Sequence, residues 1–410
     1  MKILLVCSCI GTLGCLPVCA KDLFSVDAVT TDNLLRLSQT DGGSNLANVL
    51  QQAIKAQGPF SEFQNRDYSS FLDYANVTRA IRFDVNSGGT VGSIVIPITG
   101  FEKTFFAKNR NDLYGQIKSF LEKDGAAEWA KFLEAINQRS AVALSDGNPV
   151  STTATLANSM FSEFGSPSER ANEQTGKNNV TSLVFDSGSF RAAGYNGQVY
   201  TLPISGHFRI TDRVDLAFEI PLQYIRLAGA SSYQGGLTLN VPVKVIRFSD
   251  DQPWSWEVTP TFAFALSGSE DMVAGGGLYA GALTNVIGFH WHHMTLTYGN
   301  FFSFFEGVNL SAGNYEFDSN ISQQIMKNGL RVSVPLAQNW QVEAYGIHTK
   351  FLQTAAVDSY FTIGADIGYR LAGKLYGRDL SFGFLSLGCY TELGDGFDAL
   401  RFRIGSAWTF

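Results

Sequence analysis

The last dozen residues of the chain, from Ala399 to Phe410, alternate between two kinds of side chain, and this pattern constrains the fold most. Apolar residues such as Phe402 and Ile404 point one way, and polar or small residues point the other. A strand with this period is buried on one face only. The chain then ends on an aromatic residue, which a soluble sheet has no need to expose. This end of the chain therefore predicts a half-buried strand facing an apolar medium.

The same alternation runs through the whole second half of the chain, from about residue 182. Segments of about ten to sixteen residues alternate and are separated by turn residues, which is typical of membrane barrels. We count about twelve such strands. Short connections near residues 211–212, 249–253 and 337–339 interleave with longer ones at 228–234, 267–275, 307–320, 353–359 and 394–398. This spacing predicts an antiparallel barrel with short periplasmic turns and longer outer loops.

Residues 1–20 read as a secretory signal peptide. One lysine precedes an apolar run, and Val18-Cys19-Ala20 places small residues where a signal peptidase reads them. Four of the five cysteines lie in this segment, so the mature chain keeps only Cys389. An intramolecular disulfide is therefore not expected.

Residues 21–164 have a different periodicity, which predicts a small, soluble, mostly helical α+β domain. Helical spacing is present at residues 44–56, 111–138 and 152–164, with Gly125 dividing the second of these. Two alternating runs at 78–85 and 90–99 predict a hairpin. Residues 165–181 are polar and rich in turn formers, and they predict a linker before a barrel of residues 182–410.

The composition fits a membrane barrel and disfavours other classes. Only 16% of the residues are charged, and the chain has 41 Gly, 32 Phe and a formal net charge of -7. A mildly acidic chain without Lys/Arg runs is a poor partner for nucleic acid. Beyond the signal peptide, no apolar run approaches the roughly 18 residues of a membrane helix. The prediction is an all-β transmembrane antiparallel barrel preceded by the α+β domain.

The terminal pattern Arg403-x-Gly405-x-x-Trp408-x-Phe410 looks like the C-terminal assembly signal of bacterial outer-membrane β-barrel proteins. Residues 182–410 and the signal peptide resemble that Gram-negative family as a whole. The resemblance implies secretion to the periplasm, residence in the cell outer membrane, contact with its lipid, and recognition of the last strand by the barrel-assembly machinery.

A weaker similarity links the chain to autotransporter translocator domains, because a helix at 152–164 precedes the first strand. Those domains carry an N-terminal passenger and thread a helix through the pore. This sequence departs from them in its short, helical N-terminal part, where a long β-helical passenger is usual.

Charged and polar side chains on the inward face of the strands predict a polar lumen, because charges facing lipid are costly. They could line a wet pore or pair into a closed network of salt bridges. The predicted pore-lining residues are His207, Arg209, Asp215, Glu219, Lys244, Glu257, Arg331, Glu343, Asp366, Arg370, Arg401 and Arg403.

The sequence offers little catalytic chemistry. His207 lies beside Ser205, but no acidic residue is placed in sequence to orient it. His290, His292 and His293 cluster near Trp291 without a Cys or Glu that would complete a metal site. We therefore predict no catalytic residues, no metal ligands, no cofactor and no enzymatic activity.

Three functions follow from these observations, in descending order of support. The first is a porin-like channel or transporter for small solutes, with the N-terminal domain in the periplasm or plugging the pore. The second is an autotransporter-type translocator that displays this domain at the cell surface. The third is an outer-membrane hydrolase, which would rest on the four histidines alone.

Overall fold

The computed structural model describes residues 22–41, 45–143, 145–161, 164, 179–249, 252–312, 315–317, 320–337, 339–370, 373–375, 378–380 and 382–409. The predicted signal peptide, Phe410 and residues 165–178 of the predicted linker lie outside this part of the chain. We call residues 22–143 the N-terminal unit and residues 145–164 the connecting segment; the barrel follows. Within the described residues, no helix is both long enough and apolar enough to cross a membrane.

The N-terminal unit is an antiparallel sheet with helices, in the strand order β2-β1-β3-β4-β5-β6. The predicted hairpin is confirmed as β4 and β5, and the predicted helices are confirmed with Gly125 as the division. The sheet is larger than the sequence predicted. The elements are β1 (Phe24–Thr30), β2 (Arg36–Asp41), α1 (Leu46–Lys55), a 3-10 helix (Gly58–Phe63), β3 (Tyr68–Tyr74), β4 (Val77–Val85), β5 (Val91–Ile96), β6 (Phe101–Phe106), α2 (Arg110–Ser119), a π-helical turn (Phe120–Asp124) and α3 (Ala126–Asn137).

Local side chains explain where these helices begin and end. The Asn45 side chain accepts a hydrogen bond from the Asn48 N–H and so satisfies a free donor at the start of α1. Asn109 does the same for Asp112 at the start of α2. Gly125 lies between the π-helical turn and α3, and a Cβ there would lie 2.3 Å from the Phe120 ring. The close approach of this ring therefore favours a glycine at this position.

The second half forms the predicted barrel of twelve long antiparallel strands, since β10 with its continuation β11 counts as one strand. The sheet closes on itself, because β23 pairs with β7 and β10 pairs with β12. The strands are β7 (Asn179–Ala192), β8 (Tyr195–Arg209), β9 (Asp215–Leu227), β10 (Ala230–Asn240) and β11 (Val243–Ile246), β12 (Trp254–Ser269), β13 (Ala274–Trp291), β14 (Met294–Val308), β17 (Ser322–Ala337), β18 (Trp340–Phe351), β19 (Ser359–Tyr369), β22 (Phe382–Gly394) and β23 (Phe397–Thr409). Two short hairpins lie in the loops, β15 (Leu310–Ala312) with β16 (Tyr315–Phe317) and β20 (Gly373–Leu375) with β21 (Arg378–Leu380).

We call the end of the barrel that holds Asn179 and Thr409 the proximal end, and the opposite end the distal end. The connections do not separate by length as the sequence predicted. At the distal end, Ala193-Gly194, Ala228-Gly229 and Asp395-Gly396 are two-residue turns, although longer loops were expected at the last two. Residues beside these turns were predicted to be loop, but in the structure they belong to the strands. Loop length therefore does not orient this barrel.

The outer surface of the barrel is an apolar belt, as a lipid-facing wall requires. Large apolar side chains are exposed along eleven of the twelve strands: Phe185, Ile204, Leu222, Leu237, Phe262, Leu283, Phe302, Leu330, Ile363, Leu387 and Ile404 are examples. Five tryptophans lie at the proximal end and are all exposed: Trp254, Trp256, Trp291, Trp340 and Trp408. A closed antiparallel sheet with this belt has the architecture of an outer-membrane β-barrel. Tyr360, an aromatic residue near the start of β19, is by contrast buried inside the distal end.

The N-terminal unit packs on the distal end through the loop between β12 and β13. Three successive carbonyl groups of this loop accept hydrogen bonds: Asp271 from the Leu46 N–H at 2.9 Å, Met272 from the Tyr74 hydroxyl at 2.9 Å, and Val273 from Trp129 Nε1 at 2.7 Å. Buried residues of the unit and of the distal lumen form one continuous apolar core. The unit is thus fixed on the barrel mouth.

Candidate functional site: the barrel lumen

The connecting segment enters the lumen at the distal end and runs inside the barrel as far as Phe164. Gly147 lies at the distal mouth, where its carbonyl accepts a hydrogen bond from the Val357 N–H at 3.0 Å. The helix α4 (Thr152–Met160) follows inside the barrel, and Phe164 lies beyond it. The next described residue, Asn179, begins the first barrel strand at the proximal end.

Hydrogen bonds between uncharged side chains hold most of α4 in the lumen. The helix begins at Ser151, whose side chain accepts from the Ala154 N–H. Thr155 donates to the Gln223 side chain at 3.2 Å, and the Ser159 and Thr238 hydroxyls are 2.8 Å apart. The exception is Lys327, whose amine donates to the Asn158 side-chain carbonyl.

Two aromatic rings fix the end of the connecting segment in a notch of the barrel wall. Phe161 and Phe164 stack with their centroids 4.9 Å apart, and Phe161 also contacts Phe301. They lie against Gly299 and Gly329, which face each other on β14 and β17. A Cβ on either glycine would come within 2.6 Å of the Phe164 ring. The absence of a side chain at these two positions makes room for the aromatic pair.

Replacing Gly299 with alanine should destabilise the folded chain by about 1–3 kcal/mol, because the added methyl group overpacks the notch. Gly346→Ala is the matched control, since a Cβ at this glycine on β18 meets no atom within 4 Å. Its effect should stay within about 0.5 kcal/mol. Unheated detergent gels separate the folded from the unfolded barrel. The intensity of the folded band over a urea series therefore measures the stability of both variants. Equal effects of the two changes would show that Phe164 does not depend on the notch.

The distal mouth contains a buried carboxyl group. Asp146 accepts hydrogen bonds from the Thr153 hydroxyl at 2.6 Å and from the Gln323 amide at 3.1 Å. Burial raises the pKa of Asp146 above its ordinary value of 3.8, although the two hydrogen bonds oppose this. The carboxyl joins the connecting segment to β17.

The raised pKa of Asp146 predicts a pH-dependent stability. The folded state keeps the proton at pH values where the unfolded chain has lost it, so this contribution is complete below pH 3.8 and is lost as the pH rises through the folded-state pKa. Asp146→Asn should remove it. The difference in unfolding free energy between the two proteins, measured over a pH series, should therefore change in favour of the variant as pH rises. A constant difference would contradict the assignment.

Charged side chains of the barrel wall pair with one another. Arg401 and Glu392 are both buried, with Nη2 and Oε2 3.1 Å apart. Arg403 lies 3.6 Å from the Asp186 carboxylate, which also accepts a hydrogen bond from Tyr390 at 2.5 Å. These contacts join the first strand of the barrel to the last two across its closing seam. They are ion pairs of the wall itself.

A second charged cluster lies at the proximal end and unites four residues that the sequence predicted as pore-lining. The Asp215 carboxylate lies 3.0 Å from His207 Nε2 and 3.9 Å from Arg209 Nε, and it accepts a hydrogen bond from Lys244. Glu257 is directly opposite Lys244 on the neighbouring strand. The break at Val241-Pro242, between β10 and β11, lies beside this cluster.

The remaining predicted residues also lie on the barrel. Glu219, Arg331, Glu343 and Asp366 are buried, and Arg370 is half-buried just beyond β19. Within the assembly signal, Arg403 faces the lumen and Trp408 is exposed; Phe410 lies outside the described residues. That these residues line a solute pathway, or direct assembly, stays a prediction.

Sequence reasoning missed Asp186, Lys327 and Glu392, which are all buried in the lumen. The alternation of β7 contained the signal for Asp186, because it points the same way as Ser182 and Val184. Lys327 was harder to find, since its inward neighbours Ile325 and Gly329 are apolar or small.

A cavity of about 180 Å3 remains beside α4. Five carboxylates and three guanidinium groups line it: Asp186, Glu219, Glu343, Asp366, Glu392, Arg331, Arg401 and Arg403. Thr155, Asn158 and Ser159 of the helix face the same space. The lumen is therefore only partly filled by the connecting segment.

The sequence offered no acidic partner for His207, but the structure places Asp215 beside it and so corrects that expectation. His290 contacts Thr295 at 3.2 Å and packs on Phe248, at the proximal turn between β13 and β14. Among the described residues there is no group of three or more His, Cys, Asp or Glu side chains that could hold a metal ion.

No family model matches the sequence, and no curated protein sequence matches it. Several solved structures are similar to it in fold. The translocator domain of autotransporter NalP from Neisseria meningitidis aligns with a TM-score of 0.44 at 11% identity, over 63% of this chain and 97% of that one. The β domain of the Bordetella autotransporter BrkA gives 0.39 at 14% identity, over 57% and 99%. An outer-membrane channel from Pseudomonas putida F1 gives 0.38 at 13% identity, over 57% and 96%. We draw no functional conclusion from similarity at this level.

Proposed function

We propose that the chain is an outer-membrane barrel that holds its N-terminal unit on the outer side of the membrane. The observation that carries this proposal is the position of the connecting segment, which leaves the unit at the distal mouth and lies inside the lumen, while the first strand begins at the proximal end. In bacterial barrels with an even number of strands, both ends of the barrel chain face the periplasm. The distal end, and the N-terminal unit on it, would then face outward.

Two labelled positions test this orientation. Leu34 is 79% exposed in the turn between β1 and β2 of the N-terminal unit, and His292 is exposed in the proximal turn between β13 and β14. In a Cys389→Ser background, Leu34→Cys should react with a membrane-impermeant maleimide on intact cells. His292→Cys should react only after the outer membrane is permeabilised. The reverse pattern would contradict display and favour a periplasmic unit.

A channel for small solutes is the second candidate, and the cavity beside α4 favours it. Its charged lining suits water and small ions more than apolar solutes. The helix in the lumen and the N-terminal unit over the distal mouth restrict the passage of solutes through the barrel. We therefore rank the channel function second to display of the N-terminal unit. Single-channel recording of the full chain in planar bilayers is the test, and the absence of conductance would count against a channel.

A further inference from the structure

The inner wall of the barrel is divided into a charged and an uncharged sector. All buried charged side chains of the described barrel lie on β7, β8, β9, β17, β18, β19, β22 and β23. On β10, β12, β13 and β14, the buried polar residues are Ser, Thr, Gln and Asn, with small residues such as Ala263 and Ala265 between them. Among the described residues, the fully buried inner positions of these four neighbouring strands thus carry no charge, and we call this surface the neutral sector. Glu257, half-buried at the proximal end of β12, lies outside it.

The helix α4 packs at the edge of this sector, against β9, β10 and β12. Leu156 reaches Gly236, where its Cδ1 would be 3.4 Å from an added Cβ, and Ser159 meets Thr238. The chain itself carries no charged residue from Gly147 to Ser162, and Asp146 and Glu163 bound this stretch. The uncharged stretch of sequence therefore includes the whole of α4, the helix that lies in the lumen.

We propose that the neutral sector is a seat for a helix of small uncharged residues, and that its lack of charge determines which segment of this chain comes to rest in the lumen. Arg401 and Arg403 are already paired with Glu392 and Asp186, and Ser159 meets the Thr238 hydroxyl, so a charge brought by the helix at this position meets no counter-charge on the neutral sector. Taking a charge out of water without a counter-charge is strongly unfavourable. The proposal deepens the display function and rests on it for its biological meaning.

Lys327 provides an internal control. It is buried on β17, the strand next to β14 at the border of the neutral sector, and its amine donates a hydrogen bond to Asn158 of the helix. A carboxylate at position 158 would therefore meet an amine. A carboxylate at the neighbouring position 159 would face Thr238, which is directly opposite Glu219 on β9. An aspartate should thus be tolerated or stabilising at position 158 and destabilising at position 159.

The experiment compares Asn158→Asp with Ser159→Asp in the full chain, refolded into phosphatidylcholine vesicles and analysed over a urea series by the folded band of unheated gels. At the wild-type midpoint, Asn158→Asp should leave the folded-to-unfolded ratio unchanged or raise it. Ser159→Asp should lower this ratio at least tenfold, while Ser159→Asn should stay near wild type. Adding Thr238→Lys to Ser159→Asp should restore most of the loss.

Equal losses for the two aspartates, or no loss for either, would overturn the proposal. So would a defect of Ser159→Asn as large as that of Ser159→Asp, because the seat would then depend on the shape of the side chain and not on its charge. This readout does not depend on which side of the membrane holds the N-terminal unit. The labelling experiment can therefore fail while the seat stands, and the seat can fail while display stands.

Discussion

Arg401→Met should lower the stability of the barrel by about 3–5 kcal/mol, because it leaves the Glu392 carboxylate buried without its counter-charge. The two side chains are 4% and 2% exposed, with their charged atoms 3.1 Å apart. Arg401 also lies over Gly188, where a Cβ would come within 2.8 Å of its Cγ, so the glycine makes room for the Arg401 side chain. Urea unfolding in lipid vesicles measures the loss.

Two further variants separate charge from packing in this prediction. Adding Glu392→Gln to Arg401→Met should recover a large part of the stability, since no buried charge then remains at the pair. Lys131→Met is the exposed comparison: Lys131 lies 2.8 Å from Glu128 on the surface of α3, and losing this pair should cost no more than about 1 kcal/mol. If the double variant were as unstable as Arg401→Met alone, packing would outweigh the ion pair.

Trp129→Ala should detach the N-terminal unit from the barrel mouth, with a loss of about 3–5 kcal/mol in the stability of their contact. The indole is 4% exposed, its ring centroid lies 4.7 Å from that of Phe132, and it donates to the Val273 carbonyl. Removing it empties the centre of the interface. Limited proteolysis should cut the unit much faster in the variant, while the barrel keeps its folded band.

Trp129→Phe tests the hydrogen bond separately from the ring. This change keeps most of the apolar volume but leaves the Val273 carbonyl without its donor, which should cost about 1–3 kcal/mol. Proteolysis of the unit should then be intermediate between wild type and Trp129→Ala. Cleavage at the wild-type rate in Trp129→Ala would mean that the interface does not depend on this residue.

The barrel strands could be predicted from sequence because a lipid-facing wall imposes the same alternation on every strand. The pattern around Phe402 and Ile404 and the run from Trp254 onward are of this kind, and both are strands. The ends of the strands were less predictable. Ala230 to Gln234 looks like loop because it is small and polar, yet these residues pair with β9 above the lipid belt.

The N-terminal unit was harder to predict because its strands are short and its partners are distant in sequence. The strands Phe24–Thr30, Arg36–Asp41, Tyr68–Tyr74 and Phe101–Phe106 were missed, since runs of six or seven residues give little periodic signal. The path of α4 through the lumen could be suggested only by resemblance. Its position depends on contacts such as Thr155 with Gln223 and Phe164 with Gly329, and no local pattern encodes these.

The hydrogen bonds from Tyr74 and Trp129 to the loop between β12 and β13 have a consequence for the order of events during biogenesis. The residues they join are 198 and 144 positions apart, so the N-terminal unit is synthesised long before the loop that completes its core. Contacts between such distant residues form late, because the chain between them must first be ordered. We expect the emerging unit to remain incompletely folded, and therefore narrow enough to pass through a confined space, until the barrel itself exists to finish it.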